Sequence, residues 1–100
     1  MRYEFEKEGR PVGAAQWEGP GQVAFELTDE AERPKFTRFF AREEVYLGSG
    51  HNGEEFQVRR RDWTPWEFER ACRTLANSEG LDTHRVPAGP VEFREEVPSR

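Results

Sequence analysis

The residue pair most suggestive of chemistry is Asp82 and His84, which stand two positions apart. A carboxylate that orients a histidine can activate a serine nucleophile, as hydrolases do. Ser49 and Ser78 are the candidate nucleophiles. Because a D-x-H triplet arises often by chance, a small hydrolase using Asp82 and His84 is only an alternative, and no catalytic residue is predicted.

Histidine, cysteine and carboxylate side chains could also hold a metal ion. The nitrogen and sulfur candidates, His51, His84 and Cys72, lie on separate segments, and neither C-x-x-C nor H-E-x-x-H occurs. A structural zinc site needs about four converging ligands. The sequence therefore predicts no metal site and no cofactor.

The glycine-rich residues 48–53, GSGHNG, match the G-x-G-x-x-G pattern of phosphate-binding loops. A dinucleotide fingerprint opens a helix. Here the next eight residues, EEFQVRRR, alternate as a strand does. The pattern therefore predicts a hairpin tip, with its turn at Asn52-Gly53.

Arginine and aromatic side chains near this hairpin could bind nucleic acid. The candidate set, which defines the nucleic-acid alternative, is Arg38, Arg42, Tyr46, Arg59, Arg61 and Trp66. The chain carries a formal net charge of -5, and nucleic-acid affinity rests mainly on neutralised phosphates. A nucleic-acid partner is therefore not expected.

Length and composition limit the remaining classes. One hundred residues fit a single domain, residues 1–100, of which residues 98–100 are expected to be disordered. The chain has one cysteine, no signal-like N-terminus and no apolar run near the ~20 residues of a membrane span. The expected location is cytoplasmic, without a membrane partner.

The first 28 residues read as a three-stranded meander with a turn at Glu8-Gly9. This turn predicts Phe5 opposite Val12 and Tyr3 opposite Ala14. The same register predicts a second face that carries small residues away from the core: Gly13, Ala15 and Ala24, with Trp17 at the margin. Small residues there indicate close packing, either by this chain or by a partner.

The hairpin that follows predicts Leu47 opposite Val58 and Ser49 opposite Phe56 on the core side. On the outer side it predicts two pairs, Tyr46 with Arg59 and Glu44 with Arg61, while Arg60 points inward. These cross-strand pairs offer an ordinary structural reason for the three consecutive arginines.

A complete set of helix-start signals follows the hairpin. Thr64 suits the N-cap, Pro65 the first helical position and Glu67 the capping box, with Trp63 and Phe68 as a hydrophobic staple. The pattern predicts a helix over about 65–78, ended by Gly80.

Three further segments complete the predicted fold. Residues 36–41 are predicted as a strand, although the spacing of Phe36, Phe39 and Phe40 also suits a helix. Residues 82–90 are predicted as a connector, and residues 91–97 as a last strand. The sequence thus predicts an α+β domain, a curved antiparallel sheet of five to seven strands packed by one helix. A small β-barrel capped by that helix is the alternative.

These observations favour a small binding or regulatory domain without catalytic chemistry. It would act through a protein partner or through self-association, on the face formed by Gly13, Ala15, Trp17 and Ala24. The nucleic-acid alternative and the hydrolase alternative stay open behind it.

Overall fold

The computed structural model describes residues 1–50 and 52–89, together with the backbone of residues 95–96. It contains, in chain order, the strands and helices β1 (Arg2–Lys7), β2 (Arg10–Gly19), β3 (Gln22–Leu27), α1 (Arg33–Phe40), β4 (Glu44–Ser49), β5 (Glu55–Arg59), α2 (Pro65–Glu79), β6 (Asp82–Val86) and β7 (Glu95–Glu96). Short 3-10 turns precede both helices.

The strands form two antiparallel sheets. The larger sheet has the order β6-β1-β2-β3-β7, and β4 pairs with β5 in a separate hairpin. Both helices contribute side chains to the same hydrophobic core as the sheets. The predicted α+β class is therefore confirmed, and the described residues form no closed barrel. No helix among them is long and apolar enough to cross a membrane.

The predicted register of the meander is wrong by one residue over most of its length. The turn itself is as predicted, since Lys7 pairs with Arg10 and both Glu8 and Gly9 have positive φ. A β-bulge then shifts the ladder between Phe5 and Glu6, so that Phe5 pairs with Gly13. A slip of one residue exchanges the two faces of a strand.

The bulge therefore changes which small residues lie in the core. Tyr3, Ala15 and Phe25 are cross-strand neighbours on the core face, and Val12 stays buried there beside them. Ala14 occupies the opposite face, contrary to the prediction.

Residues 36–41 were predicted as a strand, and this prediction is wrong, because helix α1 covers Arg33–Phe40. Phe36 and Phe40 lie one helical turn apart and are both buried. The Phe36 ring meets Phe5 edge-on with centroids 5.0 Å apart, and Phe40 stacks near Phe25 at 6.2 Å. Burial of these aromatic rings against the sheet outweighs the local preference for extended chain.

The helix predicted over 65–78 is confirmed as α2. Thr64 and Glu67 form the reciprocal capping box, and the Trp63 and Phe68 rings pack with centroids 6.3 Å apart. Gly80 ends the helix in the left-handed conformation, with φ of 68°. The Leu81 amide then donates to the Ala76 carbonyl at 2.8 Å, which closes the C-terminus.

The hairpin register differs from the prediction by two residues. The Gly50 amide donates to the Glu54 carbonyl, so that three residues, not two, separate the paired positions at the tip. A bulge between Tyr46 and Gly48 adds the second residue. Val45 therefore pairs with Val58 on the core side, while Glu44 faces Arg59 on the outer side.

The segment after α2 also corrects a prediction. Residues 82–86 were predicted within a connector, yet they form β6, which pairs with residues 2–6 of β1. The predicted last strand is represented by the backbone of β7, which pairs with Ala24 and Phe25 of β3. Residues 90–94 and 97–100 lie outside the described residues, as does the expected disorder of 98–100.

Candidate functional site: the open edge of β5

Strand β5 has a hydrogen-bonded neighbour on only one side among the described residues. At its end the Arg60 amide donates to the Glu43 carbonyl at 2.7 Å, and at its start the Glu54 carbonyl accepts from Gly50. Backbone groups alternate sides along an antiparallel strand. The N–H and C=O groups of Glu55, Gln57 and Arg59 therefore point away from β4.

The far edge of β4, in contrast, is covered by α2. The Leu47 carbonyl, which the bulge turns out of the ladder, accepts from Arg70 Nη2 at 3.0 Å and from Thr74 Oγ1 at 3.5 Å. Among the described residues, no comparable hydrogen bond reaches the outward groups of β5.

Two exposed aromatic side chains lie near the hairpin tip, where β5 begins. Phe56 is 48% exposed and Trp66, on the first turn of α2, is 59% exposed. Together with Arg70 they line a shallow depression beside the hairpin tip. The Arg70 guanidinium lies 5.2 Å from the centroid of the Trp66 ring, a cation–π geometry.

The outer face of the hairpin is more polar. Arg59 lies 3.5 Å from carboxylate oxygens of both Glu43 and Glu44, and all three side chains are about half exposed. The Tyr46 hydroxyl lies 2.7 Å from Ser49 Oγ. Exposed ion pairs of this kind are weak, so Arg59 is free to take a further partner.

The predicted partner face does not exist as one exposed surface. Gly13, Ala15 and Trp17 lie on the core face, with Ala15 fully buried, whereas Ala24 lies on the opposite face beside Gln16. The bulge in the meander causes this separation.

The opposite face is also covered by the chain itself. Ala14, Gln16 and Ala24 are all buried, and Gln16 Oε1 accepts from the Gly89 amide at 3.3 Å. The chain after β6 therefore packs on this face. The small residues fit internal packing, the first of the two explanations that the sequence left open.

The structure brings together three members of the nucleic-acid set. Arg38, Arg42 and Tyr46 line a cleft of about 310 Å³ between α1, β4 and α2. Within residues 1–50 and 52–89, neither arginine has an ion-pair partner. Lys35, in the same cleft, is held by Glu32, which raises the pKa of its ammonium group.

The other three members face elsewhere. Arg59 is paired on the outer face of the hairpin, Arg61 lies in the 3-10 turn before α2, and Trp66 lies in the depression with Arg70. The six residues therefore do not line a single cleft.

The residues of the hydrolase alternative lie on β6. Asp82 and His84 are exposed, and His84 Nε2 is 3.6 Å from Glu4 Oε1. Ser49 Oγ is engaged with the Tyr46 hydroxyl, and Ser78 Oγ donates to the Leu75 carbonyl at 3.2 Å. Neither serine contacts His84, so this geometry does not activate a nucleophile.

Metal and thiol chemistry finds little support in the described part of the chain. No group of three or more potential ligands converges there, and His51 lies outside it. Cys72 is fully buried on the core face of α2, and burial raises the pKa of its thiol well above the ordinary value. A protonated, inaccessible thiol is a poor nucleophile.

A second cleft, of about 470 Å³, lies on the back of the meander near Ala14. Its two arginines pair with carboxylates of the same cleft, Arg2 with Glu26 and Arg33 with Glu30, and Glu4 and Glu6 also line it. No arginine is therefore left without a carboxylate partner to hold an anionic ligand there.

Sequence reasoning missed Phe56 and Arg70 as surface residues of the site. Phe56 was placed on the core side, because the bulge and the longer loop are not visible in the sequence. Trp66 does carry a signal, since it lies off the buried stripe of α2 formed by Phe68, Ala71, Cys72 and Leu75. The open edge itself depends on whether another strand pairs with β5, which is a tertiary property.

Comparison with protein-family models, with curated proteins and with solved structures found no match to this chain.

Proposed function

We propose that this protein is a small binding domain that takes an extended polypeptide segment onto the open edge of β5. The single observation that carries this proposal is a strand edge that is unpaired among the described residues and that begins at a depression lined by two exposed aromatic side chains, Phe56 and Trp66. An extended segment can add to such an edge through main-chain hydrogen bonds, while neighbouring pockets read its side chains.

The composition around the edge favours binding of protein. Exposed Trp and Arg side chains that pack on each other are typical of the residues that dominate protein interfaces. Trp66 and Arg70 form such a pair directly beside the first residues of β5. They would supply side-chain contacts that a bare strand edge lacks.

The length of β5 also fits a specific contact. It has only five residues and carries Glu55 and Arg59 at its ends. Short edges with terminal charges resist indiscriminate pairing, because a mismatched strand leaves those charges unpaired. The edge therefore favours segments whose charge pattern complements it.

A library of displayed ten-residue peptides tests the proposal. We expect the full-length protein to retain extended peptides with alternating apolar residues, and we expect Gln57→Pro to lose them. Proline removes the outward N–H of Gln57 but leaves the ladder to β4 intact. Gln57→Thr, which keeps the N–H, is the matched control.

Amide hydrogen exchange can be measured on the wild-type protein, so the result cannot be due to an effect of a substitution on folding. At a protein concentration low enough to keep the chain monomeric, the Gln57 and Arg59 amides should exchange quickly, and they should become protected when a retained peptide is added. A library that yields no retained peptide, or peptides that bind without protecting these amides, would refute the proposal.

A further inference from the structure

The sequence of β5, EFQVR, is complementary to itself when two copies run antiparallel. With the two copies centred on Gln57, Glu55 of one chain stands opposite Arg59 of the second copy, and Phe56 stands opposite Val58. We infer that the segment taken up by the open edge is β5 of a second copy of this chain. This inference rests on the proposed function and names its partner.

The backbone supports the same centre. The outward N–H and C=O groups belong to Glu55, Gln57 and Arg59, as the bonds at both ends of the strand show. In an antiparallel ladder, directly opposed residues of this kind exchange two hydrogen bonds. Centring on Gln57 makes a bonded pair of Gln57 with its copy, and bonded pairs of Glu55 with Arg59 on both sides.

The other arrangements place like charges together. A two-fold axis at Glu55 or at Arg59 would oppose each residue to its own copy. A parallel, in-register pairing would set both end charges beside their copies. Like charges directly opposite destabilise a sheet. A two-fold axis at Phe56 or Val58 fails for a different reason: the backbone N–H and C=O groups of these residues point toward β4 and cannot also bond to a second copy.

The side chains on both faces gain partners in the antiparallel pair. On the inner face, the half-exposed Phe56 ring would pack on Val58, which is partly buried. On the outer face, Glu55 has no ion-pair partner among residues 1–50 and 52–89, and Arg59 has only weak ones. Trp66 and Arg70 would lie at the rim of the joined sheet.

The oligomeric state of the full chain tests this inference directly. Sedimentation over a range of protein concentrations should show a reversible monomer–dimer equilibrium. Glu55→Arg should raise the dimer dissociation constant about tenfold or more, because both symmetry-related pairs become repulsive. Glu54→Arg, in the loop just before the strand, is the matched control and should leave the constant within about twofold.

Charge exchange provides a gain-of-function arm. Arg59→Glu alone should also weaken the homodimer, whereas an equimolar mixture of Glu55→Arg and Arg59→Glu chains should form a heterodimer. In that heterodimer each arginine faces a glutamate of the other chain. Melting temperatures of the separate variants verify that each one folds.

The outcomes separate this inference from the proposed function. A wild-type chain that stays monomeric at every concentration, or a dimer insensitive to Glu55→Arg, overturns self-pairing. If that monomer still retains library peptides that Gln57→Pro loses, the proposed function stands without self-pairing. If the Gln57→Pro variant still binds the library peptides and still dimerises as the wild type does, the proposed function itself fails.

Discussion

Glu32 is the only carboxylate that is buried among the described residues, at 3% exposed. Both lysines of the chain lie against it, Lys35 at 2.9 Å and Lys7 at 3.7 Å between nitrogen and oxygen. The group links the β1–β2 turn to the first turn of α1. A segment that composition alone describes as a charged loop, residues 28–35, is thereby fixed to the core.

Ala15 shows that a register shift of one residue decides whether a side chain lies in the core or on the opposite face of the sheet. It is fully buried between Tyr3 and Phe25, so Ala15→Arg must force a charged side chain into the core. We expect a loss of more than about 3 kcal/mol in the free energy of unfolding, measured by urea titration. Gln22→Arg, at an exposed position of β3, is the control and should change stability by less than about 0.5 kcal/mol. Equal stability of the two variants would show that the register is wrong.

Cys72 predicts a pH dependence at the alkaline end. Burial raises the pKa of its thiol in the folded state, so the unfolded chain loses this proton first as pH rises. The stabilising effect is complete below the ordinary thiol pKa of 9.0 and declines above it. We expect the wild type to lose stability between about pH 8.5 and 10 more steeply than Cys72→Ala, in urea titrations at each pH. Parallel curves would contradict the buried thiol.

At the scale of elements, α2 follows from local signals alone. Thr64 accepts from the Glu67 amide and the Glu67 side chain returns to the Thr64 amide at 2.9 Å. Thr64→Ala should therefore cost about 1 kcal/mol in the free energy of unfolding. Asn77→Ala, at an exposed position of the same helix, should be neutral or slightly stabilising. Similar losses of unfolding free energy in both variants would show that the Thr64 cap does not stabilise the helix.

The elements that sequence reasoning missed share one physical cause. The α2 cap and the Glu8-Gly9 turn depend on residues a few positions apart, and both were predicted correctly. The bulge in β2, helix α1 and strand β6 depend on contacts between distant parts of the chain, such as Phe36 with Phe5. Local propensity does not contain those contacts, and tertiary packing overrides it.

The candidate site follows the same rule. Outward-facing Arg59 and Tyr46 and inward-facing Arg60 were predicted from strand alternation, and the structure confirms these directions. The Arg60 guanidinium reaches the Gly21 carbonyl at 2.6 Å, and its burial lowers the pKa of the group. The open edge of β5 could not be predicted, because it depends on whether another strand of the fold pairs with β5, which is decided by tertiary structure.

At the scale of the whole molecule, the faces of the larger sheet are covered by the chain itself, so the small hairpin is the better candidate for a binding surface. The larger sheet is packed on both faces, as the burial of Ala15 and Ala24 indicates. Among the described residues, the hairpin of β4 and β5 packs on its core side and meets α2 at Leu47, while no strand pairs with the second side of β5. This asymmetry is the physical basis for placing the binding surface at β5.

The distribution of charge over the whole chain gives the last prediction. Arg38 and Arg42, which have no ion-pair partner among the described residues, line a basic cleft, yet the chain as a whole carries a net charge of -5, which repels a polyanion outside that cleft. Two phosphate contacts are too few to hold an oligonucleotide against about 0.1 M salt. We expect no retardation of single- or double-stranded oligonucleotides by micromolar protein in a gel-shift assay under these conditions.

Two matched variants distinguish binding of an oligonucleotide through the cleft from binding through positive charge elsewhere on the surface. Arg38→Glu with Arg42→Glu removes the cleft charges, while Arg10→Glu changes an exposed arginine on the β1–β2 turn. Retardation that the cleft variant abolishes and the Arg10→Glu variant preserves would contradict this prediction. It would establish the cleft as a nucleic-acid contact, because the binding would then depend on the two unpaired guanidinium groups and not on charge in general.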